Sequence, residues 1–379
     1  MKLLHTGDLH LDSAFCRYGA LDADALRERG RALLRRMFAL AEEEACDMIL
    51  VSGDLFDSRT VTPETERLVC SLVAAFGRPV VVSPGNHDPY EAGSFYRSAA
   101  LPDNLYVFSS EELQCFEFPE LSATVYGYAF LTPVYSERPL MGAEVPQKGA
   151  GELRLLCAHG DLNDPLSRYA PMTAGDLAAF SFDYAALGHV HNRAGSAGVA
   201  QYCGFAEGRG FDEEGDGGVW LVSLTAGEPP VIERRVVSRV SFRTAELDVS
   251  GCNDAEELAG RITDFCSGLC EDASRVHLRL TVTGMLPDGV WESFSYRRGE
   301  LGADFGSFEL IDRTATAPDG EYLMRDVTVR GAFYRALLDK LRSDDPEERR
   351  LALRALRIGL LAIDGKRFTE EDEGKGGLQ

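Results

Sequence analysis

Five short stretches of this chain end an apolar run in a small residue and then present a side chain able to bind a cation. They are "HTGDLH" with Asp8 and His10, "ILVSGD" with Asp54, "VVSPGNHD" with Asn86 and His87, "LLCAHG" with His159, and "AALGHVH" with His189 and His191. Setting His87 aside leaves three oxygen ligands (Asp8, Asp54, Asn86) and four imidazoles (His10, His159, His189, His191). One ion needs about four such groups; seven, including an aspartate that can bridge, fit two divalent ions of the kind that assist phosphoryl displacement. Mixed carboxylate, amide and imidazole ligation without thiolate favours manganese or iron, admits zinc and disfavours magnesium. Taken singly, each histidine reads as a core or surface residue. Five of the seven histidines in this one context read together as a site, while His5 and His277 lack the context and are assigned to packing or surface.

Strand ends must position these residues, because sites in α/β proteins assemble where strands give way to loops. In an extended segment residues i and i+2 point the same way, so the spacing predicts that Asp8 with His10, and His189 with His191, each grip one centre from one face. The apolar pattern predicts strands at "KLLHTG", "DMILVSG", "PVVVSPG", "SATVYGY", "LRLLCAHG", "FDYAALG" and "GGVWLVSL", with helices over 22–45 and 63–76. This alternation is that of a layered α/β domain over 1–239, with a strand-rich second half that suggests a mixed pair of sheets. From 240 the texture changes to a smaller α+β domain, 240–366. It has a strand at "SFRTAELDV", a helix over 254–270, a strand at "RVHLRLTVTG", short strands around 307–328, and helical stretches at 331–343 and 345–362. The polar stretch 367–379 reads as a frayed tail.

Composition narrows the function classes. No run of about 18 apolar residues occurs and no signal-like segment opens the chain, so the expectation is a cytoplasmic protein without a membrane span. Nine scattered cysteines in 379 residues read as reduced thiols, and Cys266 with Cys270, lacking a second pair or a nearby histidine, reads as part of a helix. The net charge of −22 argues against tight binding of bare nucleic acid, although 34 of the 39 cationic residues are arginine, the residue suited to forked phosphate contacts.

In this order, "GDLH", "GD" at 53–54, "GNHD", "HG" at 159–160 and "GHVH" resemble the five motifs of calcineurin-like metallophosphoesterases. The opening "LHTGDLHLDSAF" and the phrase "GDLFDS" resemble the SbcD-type DNA repair exonuclease group, in particular its YhaO-like branch. The resemblance implies a four-layer αββα sandwich with a dinuclear centre and a C-terminal α+β capping domain. It further implies that Asp8, His10 and His191 bind one ion, that Asn86, His159 and His189 bind the other, and that Asp54 bridges. By the same resemblance His87 is a general acid rather than a ligand, and Asp88 orients its ring. The ions would activate water for in-line attack and neutralise developing charge.

Two departures stand out. Phosphoprotein phosphatases of the superfamily carry arginine directly after the aspartate in "GDxxDR", whereas here Asp57 is followed by Ser58. Where the nuclease group shows a "YPG" turn, this chain reads "QYCGFAEGRGFDEEGDGG", with Cys203 for the proline and Phe205 after the glycine. The first expectation is therefore a metal-dependent DNA exonuclease or endonuclease subunit. Its partner, as the resemblance implies, is an SbcC-like coiled-coil ATPase that supplies cationic surface, with 331–362 as a docking element or else as helices packed on their own domain. Arg17, Arg59, Arg193 and Arg209 are candidates to reach substrate phosphates, and a homodimer is implied by the resemblance alone. The alternatives are a phosphodiesterase of nucleotides or cyclic nucleotides and, against the grain of a full ligand set, a non-catalytic scaffold.

Overall fold

A computed structural model describes residues 1–13, 20–57, 61–98, 100–144, 146–162, 164–191, 198–295, 301–316 and 320–365. The chain divides into two compact units, Met1–Ser241 and Phe242–Gln379. The first unit runs β1 (Lys2–Thr6), α1 (Ala20–Glu43), β2 (Met48–Val51), α2 (Pro63–Phe76), β3 (Val80–Val82), α3 (Phe95–Ser98), β4 (Leu105–Val107), β5 (Gln114–Phe118), β6 (Ala123–Gly127), β7 (Leu153–His159), α4 (Ala174–Ala179), β8 (Tyr184–Gly188), β9 (Ala200–Tyr202), β10 (Gly215–Ser223) and the opening of β11 (Val231–Asp248).

Two sheets form this unit. Strands β1 to β4 lie side by side and parallel, with β10 antiparallel on the other edge of β1 and β11 beyond it. In the second sheet β6, β7, β8 and β9 run parallel and β5 joins antiparallel to β6. Alternation along the strands sorts the apolar side chains into layers. Leu3, Met48, Leu50 and Val81 of the first sheet share a buried core with Val125, Leu155, Cys157, Tyr184 and Ala186 of the second. On the other face of the first sheet Leu4, Ile49, Val51, Val80 and Val82 pack against Leu33, Met37, Phe38 and Ala41 of α1 and Val69 and Val73 of α2. The outer face of the second sheet is covered by Leu177 of α4 and by loop residues such as Leu140, Ala170 and Met172. The result is a sandwich of two sheets between helices, with one helical layer much thinner than the other.

Local chemistry explains where α2 begins and ends. Thr62 caps it by accepting from the Thr65 N–H, Pro63 occupies the first turn, and Gly77 closes it in a left-handed conformation. His5 is buried between the sheets, bonded at Nδ1 to the Tyr184 hydroxyl (2.8 Å) and at Nε2 to Ser52 Oγ (3.0 Å), and burial pushes it down to about 3.

In the second unit the end of β11, β12 (Val276–Leu286) and β13 (Ser307–Thr316) form the sheet, with β12 and β13 parallel. Val276, Leu278, Leu280 and Val282 pack on Leu258 and Ile262 of α5 (Ala255–Ser267) and Phe294 of α6 (Val290–Ser295). His277 points to the other face and stacks on Phe242. The short strands expected around 307–328 are instead one ten-residue strand followed by the helix α7 (Gly320–Arg325). The helical end is α8 (Val329–Leu341) and α9 (Pro346–Ile363), whose Phe333, Leu337, Leu341, Leu356 and Leu360 pack together with Leu323 of α7. No helix among the described residues is long and apolar enough to cross a membrane.

Candidate metal centre

All five motifs leave the carboxyl ends of parallel strands: β1, β2 and β3 in one sheet, β7 and β8 in the other. The backbone there is not extended. Asp8, His10, Asp54 and His189 have φ of 50°, 45°, 48° and 94°, so four of the seven candidate ligands sit in the left-handed region that side chains rarely adopt. Asp8 and His10 do meet in one group as expected, but left-handed turns beyond the strand aim them rather than strand alternation, and for His189 with His191 the i, i+2 expectation is corrected. His189 and His191 accordingly face different neighbours. The motif glycines allow close approach: a Cβ on Gly53 would overlap the His159 ring, and one on Gly85 the Asp54 carboxylate.

The candidate ligands converge in two groups. His10 Nε2 and His191 Nε2 stand 3.3 Å apart, and with an Asp8 oxygen they lie within 4.8 Å of one another. Asn86 Oδ1 lies 2.9 Å from His159 Nε2 and 3.2 Å from His189 Nδ1. Asp54 Oδ2 lies between the groups, 3.4 Å from His159 Nε2 and 3.9 Å from His10 Nε2. The second nitrogen of each ring meets an acceptor: His10 Nδ1 meets Asp57 Oδ1 (3.2 Å), His191 Nδ1 meets Glu213 Oε1 (2.7 Å), and His159 Nδ1 meets the Ser52 carbonyl (3.0 Å). His189 Nε2 looks toward Asp161 Oδ2 at 3.6 Å. With the ring protons assigned to those outer nitrogens, every inward nitrogen is a lone pair facing another lone pair or a carboxylate. Acceptors gathered without donors fit divalent cations.

Electrostatics agree. Burial pushes the Asp8 carboxyl up and that of Asp54 up to about 6. Burial also pushes His10 down to about 3, His189 down to about 4, and His159 down. His191 is the exception: burial would lower it, but its bond to Glu213 and the nearby carboxylates outweigh burial and raise it. Neutral imidazoles beside reluctant carboxylates are the protonation states a metal requires, and a bound cation would relieve the carboxylates and displace the extra proton of His191. Asp8 is held for this by the His189 backbone N–H (3.0 Å) and by the Cys203 thiol, which donates to Oδ2 at 3.1 Å.

The expectation that Asp88 orients His87 is corrected. Asp88 is buried and spent on the backbone, accepting from the N–H groups of Gly85 (2.8 Å), Asp54 (3.2 Å) and Phe56 (3.2 Å) and from the Tyr96 hydroxyl (2.6 Å). Its neighbours in sequence turn it inward, where it ties the motif loops together. Asp57 engages His87 instead, with Oδ1 2.8 Å from Nδ1, while also accepting from His10 Nδ1 and the Ser13 hydroxyl. Burial alone would raise the Asp57 carboxyl, but the bonds from His10, His87 and Ser13 outweigh it and hold it well below the usual range. The Asp57 bond in turn raises His87 above its ordinary value. A raised imidazole keeps its proton at neutral pH and loses it as pH climbs through the raised value. Asp57→Asn is therefore expected to move the alkaline limb of kcat/KM to lower pH, costing about tenfold above that limb for each unit moved. An unmoved limb in a measured pH profile would show that Asp57 does not set the proton affinity of His87.

Of the arginine candidates, Arg17, Arg59 and Arg193 lie outside the described residues. Arg209 is half-buried against Glu213, with Nη2 2.6 Å from Oε1 and the backbone N–H 2.9 Å from Oε2. Sequence reading missed the roles of Asp57 and Glu213. "GDLFDS" already carried the first, while the second follows His191 by 22 positions with no local signal.

The comparisons with known proteins bear on this site directly. The family model described as calcineurin-like phosphoesterase matches residues 1–193, a span that holds all seven candidate ligands and His87. An uncharacterized metallophosphoesterase, YhaO, of Bacillus subtilis is 29% identical over 313 residues, covering 77% of this chain and 74% of that protein. The SbcD component of the nuclease SbcCD from Rhodobacter capsulatus is 31% identical over 94 residues, 24% of this chain and 22% of its own length. A dimetal phosphatase from Danio rerio aligns over 62% of this chain and 96% of its own at 14% identity, with a TM-score of 0.37. A double-sheet sandwich with acceptor-rich strand ends, matched by one family over half its length, places this chain in the calcineurin-like phosphoesterase family.

Proposed function

We propose that this chain hydrolyses phosphodiester bonds at a two-ion centre and that its substrate is DNA. The observation that carries the reading is the placement of Asp54, whose Oδ2 faces both ligand groups at 3.4 Å and 3.9 Å. In this reading Asp8, His10 and His191 hold one ion, Asn86, His159 and His189 the other, and Asp54 bridges, with manganese the preferred metal. Two bound divalent ions supply Lewis acidity, making water nucleophilic and offsetting charge on the phosphate. The chain does the rest. Asp54 Oδ1 accepts the His87 backbone N–H at 2.9 Å, tying the proton donor to the bridging ligand. The His87 side chain is 45% exposed and engaged at Nδ1, which leaves Nε2 to protonate the departing oxygen.

Support for DNA comes from the motif resemblance to the SbcD-type group and from the short stretch similar to a nuclease component. The charge of −22 pulls the other way and favours a small phosphodiester, unless a coiled-coil ATPase partner supplies the cationic surface. Docking of that partner through 331–362 draws on little apolar surface, since α8 and α9 bury most of theirs against one another; Val327, Val329 and Leu351 stay exposed. A cytoplasmic setting, where reduced thiols and DNA meet, goes with the proposal.

Manganese-dependent digestion of end-labelled single- and double-stranded DNA, run beside bis-p-nitrophenyl phosphate and with or without the neighbouring ATPase, tests it. DNA cleavage that strengthens with the ATPase is the expected result. Turnover of the small ester with intact DNA under both conditions would sink the nuclease reading and favour a nucleotide phosphodiesterase.

A further inference from the structure

The loop after β9 opens on the Cys203–Phe205 turn that departs from the nuclease group, keeps the group's outline in "GRGF" and "EEGDGG", and closes behind one half of the centre. Cys203 at its start donates to Asp8 Oδ2 (3.1 Å), and Glu213 at its end meets His191 Nδ1 (2.7 Å). Two of the three ligands assigned to one ion are thus held from behind by a single segment. Glu213 is the better anchored of the two contacts. Its side chain is 3% exposed and takes three donors from Arg209: the backbone N–H to Oε2 (2.9 Å), Nε (3.1 Å) and Nη2 (2.6 Å) to Oε1.

We infer that Glu213, held by Arg209, is a positioning residue that fixes His191 with its proton on Nδ1 and its Nε2 lone pair toward the ion. The inference rests on the reading of His191 as a ligand. Imidazole ligands are oriented in this way by carboxylates on the far nitrogen, and loss of such a partner typically costs about 10–100-fold in metal affinity. Arg209 offers Glu213 only donors, so the carboxylate stays an acceptor toward His191. Arg209 Nη2 also lies 3.2 Å from His191 Nδ1, but the charged Glu213 oxygen is nearer at 2.7 Å and draws the ring proton onto Nδ1. In Glu213→Gln one oxygen must serve both neighbours. If it serves Arg209, the amide N–H groups turn to His191 Nδ1 and drive the ring proton onto Nε2, the nitrogen the ion needs.

The test is manganese binding to the full chain after chelation, followed by calorimetry and by metal analysis after gel filtration. His191→Ala is the control for the ligand reading. Glu213→Gln is expected to weaken one of two ions by about 10–100-fold and to leave the other unchanged. Arg209→Gln, altered at a half-exposed side chain, should weaken the same ion less, and decides the matter if the Glu213 variant fails to fold. The visible spectrum of the cobalt-loaded Glu213→Gln protein should shift, which a merely structural role of the loop would not cause. If His191→Ala loses an ion while Glu213→Gln and Arg209→Gln bind both as the parent does, the positioning role is overturned and the ligand reading stands. If His191→Ala keeps both ions, the ligand reading falls and this inference falls with it.

Discussion

Replacing His87 by alanine is expected to leave both ions in place and to lower turnover of DNA by about 10²–10⁴-fold, the usual contribution of a placed proton donor. The loss should depend on the leaving group. An alkoxide leaving from DNA needs the proton, whereas p-nitrophenolate leaves without it, so bis-p-nitrophenyl phosphate should suffer far less. The prediction is pointed because His87 also falls within ligand distance of the first group: a ring nitrogen lies within 4.8 Å of the nearest His10 and Asp54 donor atoms, and its ring centroid is 4.7 Å from that of His10. Metal analysis of the variant separates the two roles. Depleted ions would make His87 a ligand, and equal losses on both esters would remove it from proton transfer.

Asp54→Asn should have the larger effect, with metal lost at ordinary concentrations and turnover below detection. The variant can keep the bond from the His87 N–H to Oδ1 and the shape of the side chain, so the loss isolates the charge. Asp54 also sets a pH dependence. Burial lifts its carboxyl to about 6, so in the metal-free protein it is protonated below that value and ionised above it. Proton and ion compete for the same oxygens. Affinity for divalent ions is therefore expected to rise as pH climbs through about 6 and to go on rising until His191, raised above its ordinary value, has lost its extra proton, with His10 and His189 already neutral throughout. Calorimetric titration from about pH 5 to about pH 8 reads this directly. A flat affinity across that range, or an Asp54→Asn variant that holds two ions, would remove Asp54 from the bridge.

Much of the site was legible because strand ends announce themselves. An apolar run, a glycine or alanine and then a polar side chain located Asp8, Asp54, Asn86, His159 and His189 at the carboxyl ends of β1, β2, β3, β7 and β8. The partners of those residues were not legible, because they come from tertiary placement. Asp57 and Asp88 both lie near His87 in sequence or motif, yet only burial among three backbone N–H groups and Tyr96 shows that Asp88 is already occupied. The 18-residue β11 read as a strand only over its second half, since its first half is rich in charged residues that leave no clean alternation. The stretch after β13 read as strand and is helix, because a six-residue helix is too short for a 3.6-residue period to declare itself.

The left-handed backbone at Asp8, His10, Asp54 and His189 gathers strain at the rim of the centre. Aspartate and histidine enter this region more readily than most residues, yet each still gives up some stability relative to an ordinary conformation. Stability is surrendered at just the points where an ion would return it, so the resting protein is built as one half of a complex whose other half is metal.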